Sequence, residues 1–116
     1  MTTVKSTAIQ LRLKDEAYPL IGAIAKELLL AQLSAGIDGV GVRHTHPDGS
    51  PWDFRNTGRL LDSLVVAYKE GRITLIFDTA YATDVDRKAP LTMSPATRQE
   101  FTKRITPIIK QNVTNK

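Results

Sequence analysis

Leu64-Val65-Val66-Ala67-Tyr68, then Lys69-Glu70-Gly71, then Arg72-Ile73-Thr74-Leu75-Ile76-Phe77 is the stretch that decides the fold. Two runs rich in β-branched and aromatic residues are separated by a short turn that holds a glycine. That pattern predicts a β-hairpin. Side chains alternate across a strand, so Leu64, Val66 and Tyr68 share one face and Val65 and Ala67 the other. On the returning strand Ile73, Leu75 and Phe77 line one face, and Thr74 and Ile76 the other. Apolar groups on both faces predict a hairpin that is central in its sheet or lies at a subunit interface.

Working outward, the strongest helical signal lies N-terminal to the hairpin. Ala17, Leu20, Ile21, Ile24, Leu28 and Leu29 recur at helical spacing, and Leu30 and Leu33 widen the stripe. Asp15 is the expected N-cap. Pro19 falls close enough to the first turn to be tolerated, and Gly36 is the expected stop. Ile9, Leu11 and Leu13 alternate with polar residues, as a short strand or an extended lead-in to the helix. Val40 and Val42 suggest a brief strand. C-terminal to the hairpin, Ser94-Pro95 opens a second helix, with Ser as N-cap and Pro at the first helical position. Phe101, Ile105, Ile108 and Ile109 follow at helical spacing. Pro107 predicts a kink or an early stop, and residues 113–116 read as a frayed tail. The expected fold class is α+β. A long N-terminal helix and a C-terminal helix pack on a small antiparallel β-sheet with a central hairpin, as one domain over residues 1–116.

Composition bounds the chemistry. At 116 residues the chain can bury roughly two-thirds of its unfolded surface without disulfides or metal. There is no cysteine, which excludes thiolate metal sites and cysteine nucleophiles. No apolar run approaches the ~20 residues that span a bilayer, and the N-terminus lacks a signal-peptide core. The expectation is a protein made in the cytoplasm with no membrane partner. Sixteen basic residues against twelve acidic give a mild net charge of +4. Arg98, Lys103, Arg104, Lys110 and Lys116 face only Glu100 in the last stretch. That asymmetry reads as a solvated helix face, or else as a surface for nucleic acid.

Residues 44 to 57 read as a loop. His44-Thr45-His46-Pro47 followed by Asp53 has the elements of a zinc site: two imidazoles one residue apart plus a carboxylate. The pattern partly resembles the His-x-His-Pro motif of a family of zinc isopeptidases. In that family Ser-x-x-Asp comes seven residues after the second histidine. Here Ser50-Pro51-Trp52-Asp53 comes after three, which should spoil the geometry, so a zinc hydrolase is the lesser alternative. Pro47-Asp48-Gly49 is a turn: Pro presets φ, Asp caps its own backbone and Gly takes a positive φ. Trp52 is the expected anchor of this loop. In Thr57-Gly58-Arg59-Leu60-Leu61-Asp62-Ser63-Leu64, Thr57 can cap a short turn and the leucines can face inward. The glycine and Lys-Ser/Thr spacing of a phosphate loop is missing, and no Ser-His-Asp order orients a nucleophile.

In order and spacing, these pieces resemble bacteriophage tail-completion and head–tail joining (neck) proteins, with the related virion-morphogenesis proteins. The matches are Pro47-Asp48-Gly49 with Trp52, Thr57-Gly58-Arg59-Leu60 with Ser63, Tyr81-Ala82, and Pro90-Leu91 through Ser94 with Arg98 and Glu100. The family's usual glycine shortly after Tyr-Ala is replaced here by Asp84-Val85-Asp86. The resemblance implies a structural subunit of the virion, with no catalysis and no cofactor. It implies self-association, in a ring, and docking to phage connector or tail proteins, near passing DNA. The residues expected at the interface or supporting it are Trp52, Tyr68, Ile73, Leu75 and Tyr81.

Overall fold

The computed structural model describes residues 3–45, 47–49, 62–69, 71–79 and 82–112. In chain order the elements are β1 (Thr3–Gln10), α1 (Ala17–Ser34), β2 (Val65–Lys69), β3 (Arg72–Asp78), α2 (Ala82–Lys88) and α3 (Pro95–Asn112). The fold is α+β. The three strands form one antiparallel sheet in the order β1-β3-β2. One face of the sheet carries the core. Helix α1 packs on β2, β3 and α3, and α2 lies against β1.

The hairpin forms as its alternation predicts. Val65 pairs with Ile76, Ala67 with Thr74 and Lys69 with Arg72, leaving a two-residue loop. Gly71 closes that loop with φ of 76°, a region open to glycine at no steric cost. Ile73, Leu75 and Phe77 point inward and are fully buried, as is Leu64 just before β2. Strand β3 is the centre of the sheet and β2 one of its edges.

The third strand corrects the sequence reading. It starts at Thr3, not Ile9, and runs beside β3 from Thr3↔Asp78 to Gln10↔Arg72. A one-residue register shift between Thr7 and Ile9 makes Ala8 a bulge. The bulge turns Ala8 and Ile9 successively toward the core. It also leaves the Ala8 carbonyl to accept from Arg98 Nη1 of α3 at 3.2 Å.

Helix α1 departs in two details. Asp15 is not its cap: the residue before the helix is Glu16, in a helical conformation and without a side-chain cap bond. The entry is fixed instead by a backbone turn, Ala17 N–H to Lys14 O, and by Tyr18. The Tyr18 hydroxyl accepts from Leu13 N–H and donates to Leu11 O, both at 2.9 Å. Its tightest seam runs through Ala17, Ile21, Ala25, Leu29 and Leu33, while Leu20 is exposed. Small residues in this seam let the backbones approach. A Cβ on Gly22 would lie 2.7 Å from Tyr68 Oη and 2.9 Å from Val66 Cγ1. The stop at Gly36 is as expected: φ is 81°. Gly36 N–H reaches Leu33 O and Ile37 N–H reaches Gln32 O, the paired bonds of a Schellman cap.

The second long helix opens as predicted. Ser94 Oγ accepts from Thr97 N–H at 3.2 Å, with Pro95 at the first helical position. It does not stop at Pro107 but continues to Asn112. The carbonyl that proline cannot serve belongs to Lys103, and both residues are exposed, so the lost bond falls on the face open to solvent. The short α2 was not expected from the sequence. The 113–116 tail lies outside the described residues.

Candidate functional site

The histidine region is organised by a residue the sequence reading passed over. Asp38 is buried, and its Oδ1 accepts from three successive backbone amides: Val40 at 2.9 Å, Gly41 at 3.1 Å and Val42 at 3.0 Å. Its Oδ2 lies 2.8 Å from His44 Nε2. Asp38 N–H also bonds Val42 O, and His44 N–H bonds Gly36 O. Val40 and Val42 therefore form no strand. They stand on a tight loop with both side chains exposed, and only an isolated Ile37↔Arg43 bridge closes its base. Burial pushes the Asp38 carboxyl upward. The bonds from His44, Val42 and Val40 outweigh it and hold the group below the usual carboxylate range. An ionised Asp38 can only accept, so His44 Nε2 carries the proton between them.

This arrangement commits one ring nitrogen of His44 to a structural carboxylate. His46 and Asp53, the other members of the suggested zinc triad, lie outside the described residues. Among the described residues no group of three or more His, Asp or Glu side chains is placed to hold a metal. Residues 47–49 form a turn, and Gly49 takes the expected positive φ, 89°.

Of the five expected interface residues, Tyr68 is at the surface, 46 % exposed. Ile73 and Leu75, at 0 % and 1 % exposure, are core. Inward alternation on the central strand puts them under α1, so they can support an interface only from behind. Trp52 and Tyr81 lie outside the described residues, as do Thr57 to Leu61. The end of that segment is visible. Ser63 Oγ accepts from Asp78 N–H at 3.2 Å, and Leu64 is buried.

The basic C-terminal helix is less available than its composition implied. Arg98 reaches the β1 bulge, and Arg104 bonds Glu100 at 2.8 Å and Glu27 of α1 at 3.1 Å. The outer face of the sheet carries what the sequence reading missed. Lys5, Thr7 and Gln10 of β1, Ala67 and Lys69 of β2, and Arg72, Thr74 and Ile76 of β3 line a shallow trough there. The cations come from three separate strands: Lys69 and Arg72 flank the turn of the predicted hairpin and pair across it, whereas Lys5 joins them only through the register of β1 on β3. This face is not the apolar one the sequence suggested. Val65 is exposed at its edge and Ile76 is half-buried, but its ends are charged.

Among the described residues no helix is long and apolar enough to cross a membrane. No protein-family model, curated protein or solved structure matches the chain.

Proposed function

We propose that this chain is a structural, non-enzymatic virion component of a tailed bacteriophage, a tail-completion or neck protein that self-associates, in a ring, and docks connector or tail proteins. The observation that carries this reading is the ordered run of motifs around the hairpin, from Pro47-Asp48-Gly49 to Glu100. Two features of the fold support it. Strand β2 is an edge, with Val65 and Tyr68 exposed on its opposite faces. The Asp38 loop holds Val40 and Val42 outward in a fixed geometry. Exposed apolar side chains on rigid elements suit a surface made to be covered. Trp52 and Tyr81 are assigned to the same contacts by the resemblance.

The test is the assembly state. Light scattering across a wide concentration range and negative-stain images should give a closed oligomer, and co-sedimentation should give binding to purified tails or connectors. A protein that stays monomeric at high concentration and binds neither would refute the proposal.

A further inference from the structure

The trough on the outer face of the sheet is a separate matter from self-association. Its ends are basic. Lys69 and Arg72 are direct cross-strand partners, with Gln10 opposite Arg72 on the other side. Lys5 lies at the other end, paired with Ile76. All three cations are exposed. Like charges directly opposite each other on a sheet repel, so an anion bound between Lys69 and Arg72 would be stabilised by both. Among the described residues no carboxylate lines the trough; Asp78 lies two residues beyond Ile76 on the same face, and Asp15 lines an adjoining pocket with Lys69.

The floor between the cations is small and mostly polar: Thr7, Ala67 and Thr74. A second copy of this face would meet it with the same charge, which excludes face-to-face pairing of two troughs. A protein partner would want a large apolar or aromatic anchor, and the lining offers no aromatic ring and, of large apolar groups, only the half-buried Ile76. A base-stacking platform would want aromatic rings, and it has none of those either. Cations spaced along an open, smooth channel suit a repeating anion read by its charge. We infer that this face binds the sugar–phosphate backbone of nucleic acid, through Lys5, Lys69 and Arg72, without base selectivity. Three adjacent strands span roughly 10 Å between their axes, so one backbone strand fits across the trough, from a duplex or a single strand.

Three phosphate contacts set the magnitude. The slope of log K against log salt should be about −2.7 for duplex DNA and about −2.1 for a single strand. Between 50 and 200 mM salt the duplex affinity should therefore fall about 40-fold. Fluorescence anisotropy with labelled duplexes and single strands of two unrelated sequences would measure it, starting from low salt. Lys69→Glu/Arg72→Glu should weaken binding at least tenfold and flatten the slope to about −1, with circular dichroism checking the fold. Lys103→Glu/Lys110→Glu on α3 removes the same charge elsewhere and should leave most of the affinity. Equal loss in both pairs would overturn the assignment in favour of net charge alone. Undetectable binding in low salt would overturn it too, as would tighter binding to polyglutamate than to DNA, which would mark an acidic protein partner instead.

Discussion

Gln32 is buried on α1 and makes three hydrogen bonds with its amide. Its Nε2 donates to Ile37 O at 3.1 Å and to Thr92 O at 2.9 Å, and its Oε1 accepts from Ser94 N–H at 2.8 Å. One side chain thus joins the end of α1, the loop after it and the cap of α3. Replacing it with leucine keeps the volume and removes all three bonds. The costs are unequal. Ser94 N–H is buried and would lose its partner outright, at about 1–3 kcal/mol for an unsatisfied group. Ile37 and Thr92 are half-buried, so water can recover part of each carbonyl bond and the net loss is about 0.5–1 kcal/mol apiece. The sum is about 2–5 kcal/mol. A 116-residue chain has about 6–17 kcal/mol of stability in all. At about 4 °C per kcal/mol for this size, Tm should drop by about 8–20 °C. Urea and thermal unfolding of Gln32→Leu would measure it, and hydrogen exchange at the Ser94 amide should accelerate more than at Phe101. Gln32→Glu keeps the acceptor for Ser94 but turns a carboxylate toward two carbonyls. It should be worse than wild type at pH 7 and recover on mild acidification, as the raised carboxyl takes up its proton. A loss below about 1 kcal/mol in Gln32→Leu would refute the reasoning, because the three bonds would then be replaceable by water.

Two other expectations follow from the same kind of accounting. Asp38 is held below the usual carboxylate range, so its contribution is fully present above the unfolded value near pH 4 and is lost as pH falls through the lower folded one; Asp38→Asn should remove that part of the acid limb in urea titrations run from pH 6 to 2, and an unchanged limb would contradict it. At Gly22 two effects oppose: alanine improves helix propensity by about 1 kcal/mol, but its Cβ would lie under 3.0 Å from Tyr68 and Val66, and overpacking costs about 1–3 kcal/mol. Val66 is on the strand and cannot swing away, so Gly22→Ala should be destabilising by about 1 kcal/mol, and Tyr68→Ala should recover part of that loss in a double-mutant cycle; a stabilised single variant would show that the close approach is soft.

What the sequence made legible was local. The hairpin announces itself by alternation on both sides of a glycine turn. Ser94-Pro95 and Gly36 mark helix ends through bonds that close within a few residues. What it hid was non-local. Thr3 to Ala8 has little apolar pattern of its own, with Val4, Ser6 and Ala8 turned inward, and becomes a strand because β3 offers it an unpaired edge. Helix α2 is short and polar, and Asp86 Oδ1 ends it by taking the Leu91 amide. The stripe on α1 was rotated slightly because large apolar residues drew the reading to Leu20, while the sheet selects small ones, Gly22 and Ala25, that let it come close. The candidate surfaces were legible to the same degree. Alternation groups Tyr68 with Leu64 and Val66, and register pairs it with Ile73, but which face of the hairpin turns inward could not be assigned until α1 was in position.

The Asp38 loop bears on why polar groups are buried at this end of the molecule at all. Residues 36–44 meet residues 90–94 mainly through hydrogen bonds. Gly39 N–H bonds Pro90 O at 2.7 Å, and Gln32 bridges Ile37 to Thr92. A Cβ at Gly39 would collide with the Thr92 hydroxyl, so the two backbones touch directly. A surface loop can satisfy its amides with water and needs no buried carboxylate. Here a carboxylate is withdrawn from solvent, held ionised and bonded to three consecutive amides, so the loop is fixed in shape, while Val40 and Val42 stay outside the core. Core stability does not require this, because neither valine is buried by it. A rigid turn that displays two valines reduces the entropy lost when a partner covers them. That economy would serve the docking role proposed above for this end of the chain, while the basic trough lies on the outer face of the sheet.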